Sequence, residues 1–314
     1  MIFNLGAKTS VVGTALHSTV RGGGRREGMT LLSNTPTTEK SGSTFIGQPY
    51  TPPQAWTAWL IPSIIVFNIG VFACSLYVDN CIGLRHACSV NCCVFPFLRR
   101  FAFEPLSVNP FFGPTIETLD AMGALNYERI VTDKEGWRFL TCIWLHSGVI
   151  PLGANMLSLS FVGIRLEQEF GFARIGTLYV LSGFIGSLVS ALSTSSKISV
   201  GSSGSLFGLL GAMISELIIN WTIYGNKFAA LLTLIVITSV NVIVGYFINM
   251  DGFAIIGGFV SGFLIGFILL IRPQFGYVSH KHISSGYTTN ASKPMYKLYQ
   301  YLLWIVALIL LILG

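Results

Sequence analysis

From about residue 55 onward the chain alternates long apolar runs with shorter polar stretches. Seven runs, at about 55–78, 138–163, 174–193, 203–220, 228–248, 253–271 and 296–314, each approach the length of about 20 residues that a helix needs to cross about 30 Å of hydrocarbon. Helices rather than strands follow from run length and from the need to satisfy every backbone N–H and C=O within lipid. The spacing is uneven. A long loop, 79–137, follows the first run, short connections join the next five, and a polar stretch precedes the last. The predicted fold class is an all-α polytopic membrane protein with six clustered helices and one appended at the C-terminus. Residues 1–54 show no such pattern: rich in Gly, Ser, Thr and Pro and ending in TPPQ, they read as a disordered tail.

Composition agrees with this pattern. Of 314 residues, 52% are hydrophobic and 10% charged, and the mean hydropathy of +0.67 is too high for the surface of a soluble globule. A net charge of +6 could suggest nucleic acid, but no basic stripe with interleaved aromatics occurs, so nucleic acid is set aside and the lipid bilayer is the partner. Placing the tail in the cytoplasm puts the larger share of Lys and Arg on that side, and most of the rest lie in the long loop, where the charge rule has less force. That topology keeps the sequons at Asn220 and Asn290 cytoplasmic and free of glycan. The first 26 residues carry Lys8, Arg21, Arg25 and Arg26 without an acid, an organellar alternative to the endomembrane system. Cys81, Cys88, Cys92 and Cys93 share the long loop; two disulfides are open to them, while zinc spacing is lacking even with His86 nearby, so no metal or cofactor is expected.

Small residues recur at intervals of four in two runs. Gly204 and Gly208, with Gly211 behind, and then Gly258, Gly262 and Gly266 form flat stripes that let helix backbones approach closely, which predicts contact between the fourth and sixth spans. That contact would bring Ser203, at the start of one span, near the residues after Asp251, at the start of the other. A nucleophile and a base could meet there from distant positions.

GSSGSLFGLLGA at 201–212 resembles the Gly-x-Ser-Gly motif of the rhomboid intramembrane serine proteases. GWR at 136–138, LHSGVIPLGAN at 145–155, RLEQEFG at 165–171 and MDGFAIIGGF at 250–259 follow in that family's order and spacing. FEPLSVNPFFGP and GIRLEQEFGFARIG look closest to plant rhomboid-like proteins of the secretory type. The resemblance implies a six-helix core with an added seventh helix, Ser203 at the nucleophile position, Asn155 as an oxyanion donor, and residence in the Golgi, the endoplasmic reticulum or the plasma membrane.

Two positions depart from the pattern. Where the family carries Ala-His-x-Gly-Gly, this chain reads Ala254, Ile255, Ile256, Gly257, Gly258, so Ile255 occupies the base position. Where the family carries His-x-x-x-Asn, Pro151 precedes Asn155, and proline offers neither a side-chain donor nor an N–H and could bend the helix. Substitutes are poorly placed. His146 lies nine residues before Asn155, about 180° around an ideal helix and about 13 Å along it, and reads as a capping or loop-facing residue. Lys197 reads as a solvated loop lysine, Asp251 as the cap of the sixth helix, and Glu216 as a group that either snorkels or hydrogen-bonds between helices. The expectation is a proteolytically inactive rhomboid-like protein that binds single-pass transmembrane clients. The alternatives are an active serine endopeptidase of type I membrane substrates and, further off, a transporter or channel.

Overall fold

The glycine stripes explain the centre of the molecule. A computed structural model describes residues 56–79, 101–107, 109–193, 198–273 and 296–313. The helices that carry the apolar runs are α1 (Leu60–Asp79), α5 (Val149–Phe170), α6 (Phe172–Ser193), α7 (Ser203–Ile219), α8 (Lys227–Phe247), α9 (Gly252–Leu269) and α10 (Leu298–Leu313). Five of these are long and apolar enough to cross a membrane; α7, with 17 residues, and α10, with 16, are shorter apolar helices. The fold is that of an all-helical, multi-pass integral membrane protein.

Helices α7 and α9 meet along the stripes. A Cβ at Gly258 would overlap the carbonyl of Gly204, and one at Gly262 would overlap that of Gly208. A third helix joins them, because a Cβ at Gly186 of α6 would stand 2.7 Å from the Ala254 carbonyl of α9. Only backbone fits at such distances, so the missing side chains allow three helices to close on one another and fix Ser203 against the first turn of α9.

Polar side chains lock the helix ends. Glu167, fully buried near the end of α5, accepts from the backbone N–H groups of Trp59, Leu60 and Ile61 at 2.7–2.9 Å and so caps α1, whose first amides have no intrahelical partner. At the end of α7, Glu216 accepts from Asn220 at 3.1 Å and from the Tyr224 hydroxyl at 2.6 Å, with the Arg272 guanidinium 3.6 Å away. This is the hydrogen-bonding alternative of the two roles expected of Glu216. Asn220 itself is fully buried, donating to the Leu270 carbonyl and accepting from the Arg272 amide, and Gln300 bonds the Ile219 and Arg272 carbonyls to hold α10 in place.

The second apolar run required correction. Helix α5 begins at Val149, eleven residues later than the run itself, because residues 138–148 form a short helix, α4 (Arg138–Thr141), a 3-10 turn at Cys142–Trp144, and an extended segment. Gly148 lies beneath the Phe111 carbonyl, where a Cβ would collide. The preceding loop has structure too: α2 (Ile116–Ala121) is held by buried Arg138, which donates to the Asp120 and Ala124 carbonyls at 2.8 Å and to Glu135 at 2.6 Å, and α3 (Tyr127–Thr132) is tied to the same Asp120 by Arg129 at 3.0 Å. Pro151 does not bend α5, because it occupies the first turn, where a missing N–H breaks no intrahelical bond. The four loop cysteines, His86, Lys197, the Asn290 sequon and the tail lie outside the described residues.

Candidate functional site

Ser203 opens α7. Its approach is set by a pair of backbone hydrogen bonds between Ser199 and Leu125, at 2.9 and 3.1 Å, and by the Gly201 amide donating to the Cys142 carbonyl at 3.0 Å. Gly201 adopts φ +131°, a conformation that side-chain-bearing residues rarely take, and this allows the chain to turn into the helix. A Cβ drawn on Gly201 would lie 3.8 Å from Ser203 Oγ and 3.9 Å from Asn155 Nδ2. The serine and the asparagine therefore converge beside one point of backbone.

Both line a cavity of about 840 Å³, together with Pro151, His146, Asp251 and Ile256. Pro151 stands one turn before Asn155 on α5, so the two share a face. Asn155 is buried, and its Oδ1 has no hydrogen-bond partner. Among the described residues no side chain hydrogen-bonds the Ser203 hydroxyl.

Ile255 adds nothing polar to the cavity. It is partly buried, lies outside the cavity lining, and its Cδ1 comes within 3.5 Å of a Cβ drawn at Gly245 on α8. Position 255 thus packs α9 toward α8. Asp251 caps α9 as expected, accepting from the amides of Phe253 and Ala254 at 3.0 and 3.2 Å, and it also accepts from the Ser190 hydroxyl.

His146 differs from expectation. It does not cap a helix and is buried rather than open at the interface: it is 1% exposed, outside the spanning helices, and its Nε2 lies 3.3 Å from Ser202 Oγ, one residue short of Ser203. Folding of residues 109–117 over this end explains the burial that a helical projection misses. Loss of hydration pushes the imidazole down to about 4, with the Trp144 carbonyl opposing, so it is neutral near pH 7. Glu104, which also lines the cavity, and Glu167 were not singled out from the pattern of the chain; their only signal was their place in FEPLSVNPFFGP and RLEQEFG.

The rhomboid domain family matches residues 133–272, which include Ser203, Asn155 and Ile255. RHOMBOID-like protein 1 of Arabidopsis thaliana is 54% identical over 265 residues, covering 84% of this chain and 67% of that protein. The chain belongs to the rhomboid family. RHOMBOID-like protein 6, mitochondrial, of the same organism is 45% identical over 268 residues, or 85% of this chain and 86% of the relative. A relative named Inactive RHOMBOID-like protein 8, also from Arabidopsis thaliana, is 42% identical over 225 residues, 71% of this chain and 63% of its own. The rhomboid family thus contains members named as inactive beside others with no such qualifier.

Proposed function

We propose that this rhomboid-family protein performs no proteolysis and uses its cavity to bind transmembrane segments of single-pass client proteins. One observation carries the reading: among the described residues no side chain hydrogen-bonds the Ser203 hydroxyl, and the side chain at position 255 is an isoleucine packed toward α8. A neutral serine hydroxyl is a poor nucleophile, and removing the histidine of a serine-protease triad costs about a millionfold in turnover. Pro151 supplies no donor to an oxyanion, and one such donor is worth about 3–4 kcal/mol. Ser203 then holds a nucleophile's position without its chemistry, and Asn155 keeps a donor aimed into the cavity.

What remains suits binding. The cavity combines apolar walls with a few unpaired polar atoms, as ligand sites commonly do. Helix α8 buries only Ala230, Leu234 and Gly245, so a client helix displacing it would break few contacts. The compartment we favour is the endomembrane system; the mitochondrial relative keeps an organellar membrane as the alternative, and a fluorescent fusion viewed beside compartment markers decides between them.

The competing reading is an active endopeptidase with an unusual base. It draws on His146, which is neutral and lines the same cavity. Reconstitution with a model type I transmembrane substrate separates the two. No cleavage is expected from the wild-type protein or from Ser203→Ala, while Ile255→His combined with Pro151→His should create cleavage that Ser203→Ala then removes. Wild-type cleavage lost in Ser203→Ala overturns the inactive reading, and ion flux through liposomes containing the protein would revive a channel.

A further inference from the structure

Among the described residues, the cavity beside Ser203 is lined by three carboxylates, those of Glu104, Glu117 and Asp251, and by no lysine or arginine. Asp251 is already committed to the α9 cap and to Ser190. Glu104 is not. The residue is 7% exposed, its Oε1 is buried without a hydrogen-bond partner, and only its backbone is engaged, donating to the Gly113 carbonyl at 3.0 Å. Asp79, whose charge acts on Glu104, spends its carboxylate on the hydroxyls of Thr115 and Thr118 at 2.5 Å.

Among the described residues no cation is paired with Glu104. Burial, and then the negative charges of Asp79 and Glu117, hold its carboxyl above the ordinary carboxylate range. An unpaired buried carboxylate is costly, and that cost is relieved when a cation with N–H donors arrives. A guanidinium or ammonium group meets the need with one contact. A metal ion requires several ligands, and no group of three His, Cys, Asp or Glu side chains suited to a metal occurs among the described residues.

The position also selects what can reach it. Glu104 belongs to the loop segment that rests on the start of α5, where Gly113 packs against the Ser147 carbonyl too closely to admit a Cβ. This is the same end of the bundle as Ser203, and outside the spanning helices. A helix lodged in the cavity would present its flanking residues to Glu104.

We propose that Glu104 is a docking site for a basic side chain that lies just outside the apolar stretch of the client, so the cavity selects clients with Lys or Arg at that end. The proposal rests on the client-binding function above. It is tested on the full chain in detergent micelles by titrating two fluorescent peptides of about 20 Leu and Ala residues. They differ only in Arg or Gln one turn beyond the apolar stretch.

The Arg peptide should bind about tenfold more tightly, the effect of one hydrogen bond to a charged partner. In Glu104→Gln the two peptides should bind alike. Moving the Arg to the opposite end of the peptide should remove the preference in the wild-type protein, a readout that does not depend on the variant folding. Equal affinity of both peptides for the wild-type protein overturns the cation site and leaves client binding standing, whereas failure of both peptides to bind overturns both. Calorimetric uptake of calcium that abolishes the Arg preference reassigns the carboxylates to a metal, and overturns the proposal too.

Discussion

Helices α7 and α8 are neighbours in sequence and nearly opposite in character. Every residue of α7 except Ile214 and Ile218 is buried, and its glycines admit the backbones of α6 and α9. In α8 only Ala230, Leu234 and Gly245 are buried, while residues such as Leu232, Phe228 and Tyr246 are exposed on its surface. Both are apolar, so hydropathy does not separate them. Side-chain size does: small residues in α7 replace lipid contacts with close backbone packing, and bulky β-branched and aromatic residues in α8 face outward. A membrane protein of this design can hold its site rigidly on one helix and leave the adjoining helix free to move.

The strongest way to break this contrast is to enlarge a glycine. Gly262→Leu should cost more than about 4 kcal/mol, because a side chain there collides with the Gly208 backbone, and folded protein should be lost in detergent thermal unfolding. The control is Leu232→Ala on α8, 63% exposed, which should shift stability by about 0.5 kcal/mol or less.

Acid should weaken the rigid side next. His146 contacts Ser202 immediately before α7, and its folded-state value of about 4 lies below the ordinary 6.5. The unfolded chain therefore binds the proton more readily. The stability contributed by neutral His146 is complete above about pH 6.5 and is lost as the pH falls toward 4, up to about 3 kcal/mol in all. Unfolding followed across that range should show the decline, and His146→Gln should flatten it.

Glu216→Gln tests the joint between the two helices. Weakening the bond to Tyr224 and the charge opposite Arg272 should cost about 1–3 kcal/mol and speed amide exchange at the start of α8. Gly245→Ala should have the smallest effect. A Cβ there makes ordinary contacts of 3.5 Å with Ile255 and Met250, so a gain of up to about 1 kcal/mol, with slower exchange in α8, is expected.

The spans and the α7–α9 contact were legible in the chain because run length and glycine spacing are local signals that packing obeys. The start of α5 was not. FLTCIWLH is apolar enough to extend the helix, yet it folds as turns beneath the loop because Arg138 draws α2 down onto it, and hydropathy carries no record of that contact. The burial of His146 was missed for the same reason. Ser203, Asn155 and Ile255 could be singled out through motif spacing, but the direction of Ile255 toward α8 depends on how the helices cross. Glu104 and Glu167 are acids in otherwise unremarkable stretches, and what distinguishes them is burial created by distant segments.

Asn220 gives the fold a record of its own assembly. Its amide stands in an Asn-Trp-Thr sequon but is sealed between Glu216, Leu270 and Arg272 once α7, α9 and the chain beyond have come together. A glycosyltransferase could reach that nitrogen only before closure, and an attached sugar would keep Arg272 and Gln300 from their partners. Sugar at Asn220 would therefore mark chains whose loop faced the lumen before closure, against the cytoplasmic placement, whereas a bare Asn220 is expected on either side once the helices have closed over it.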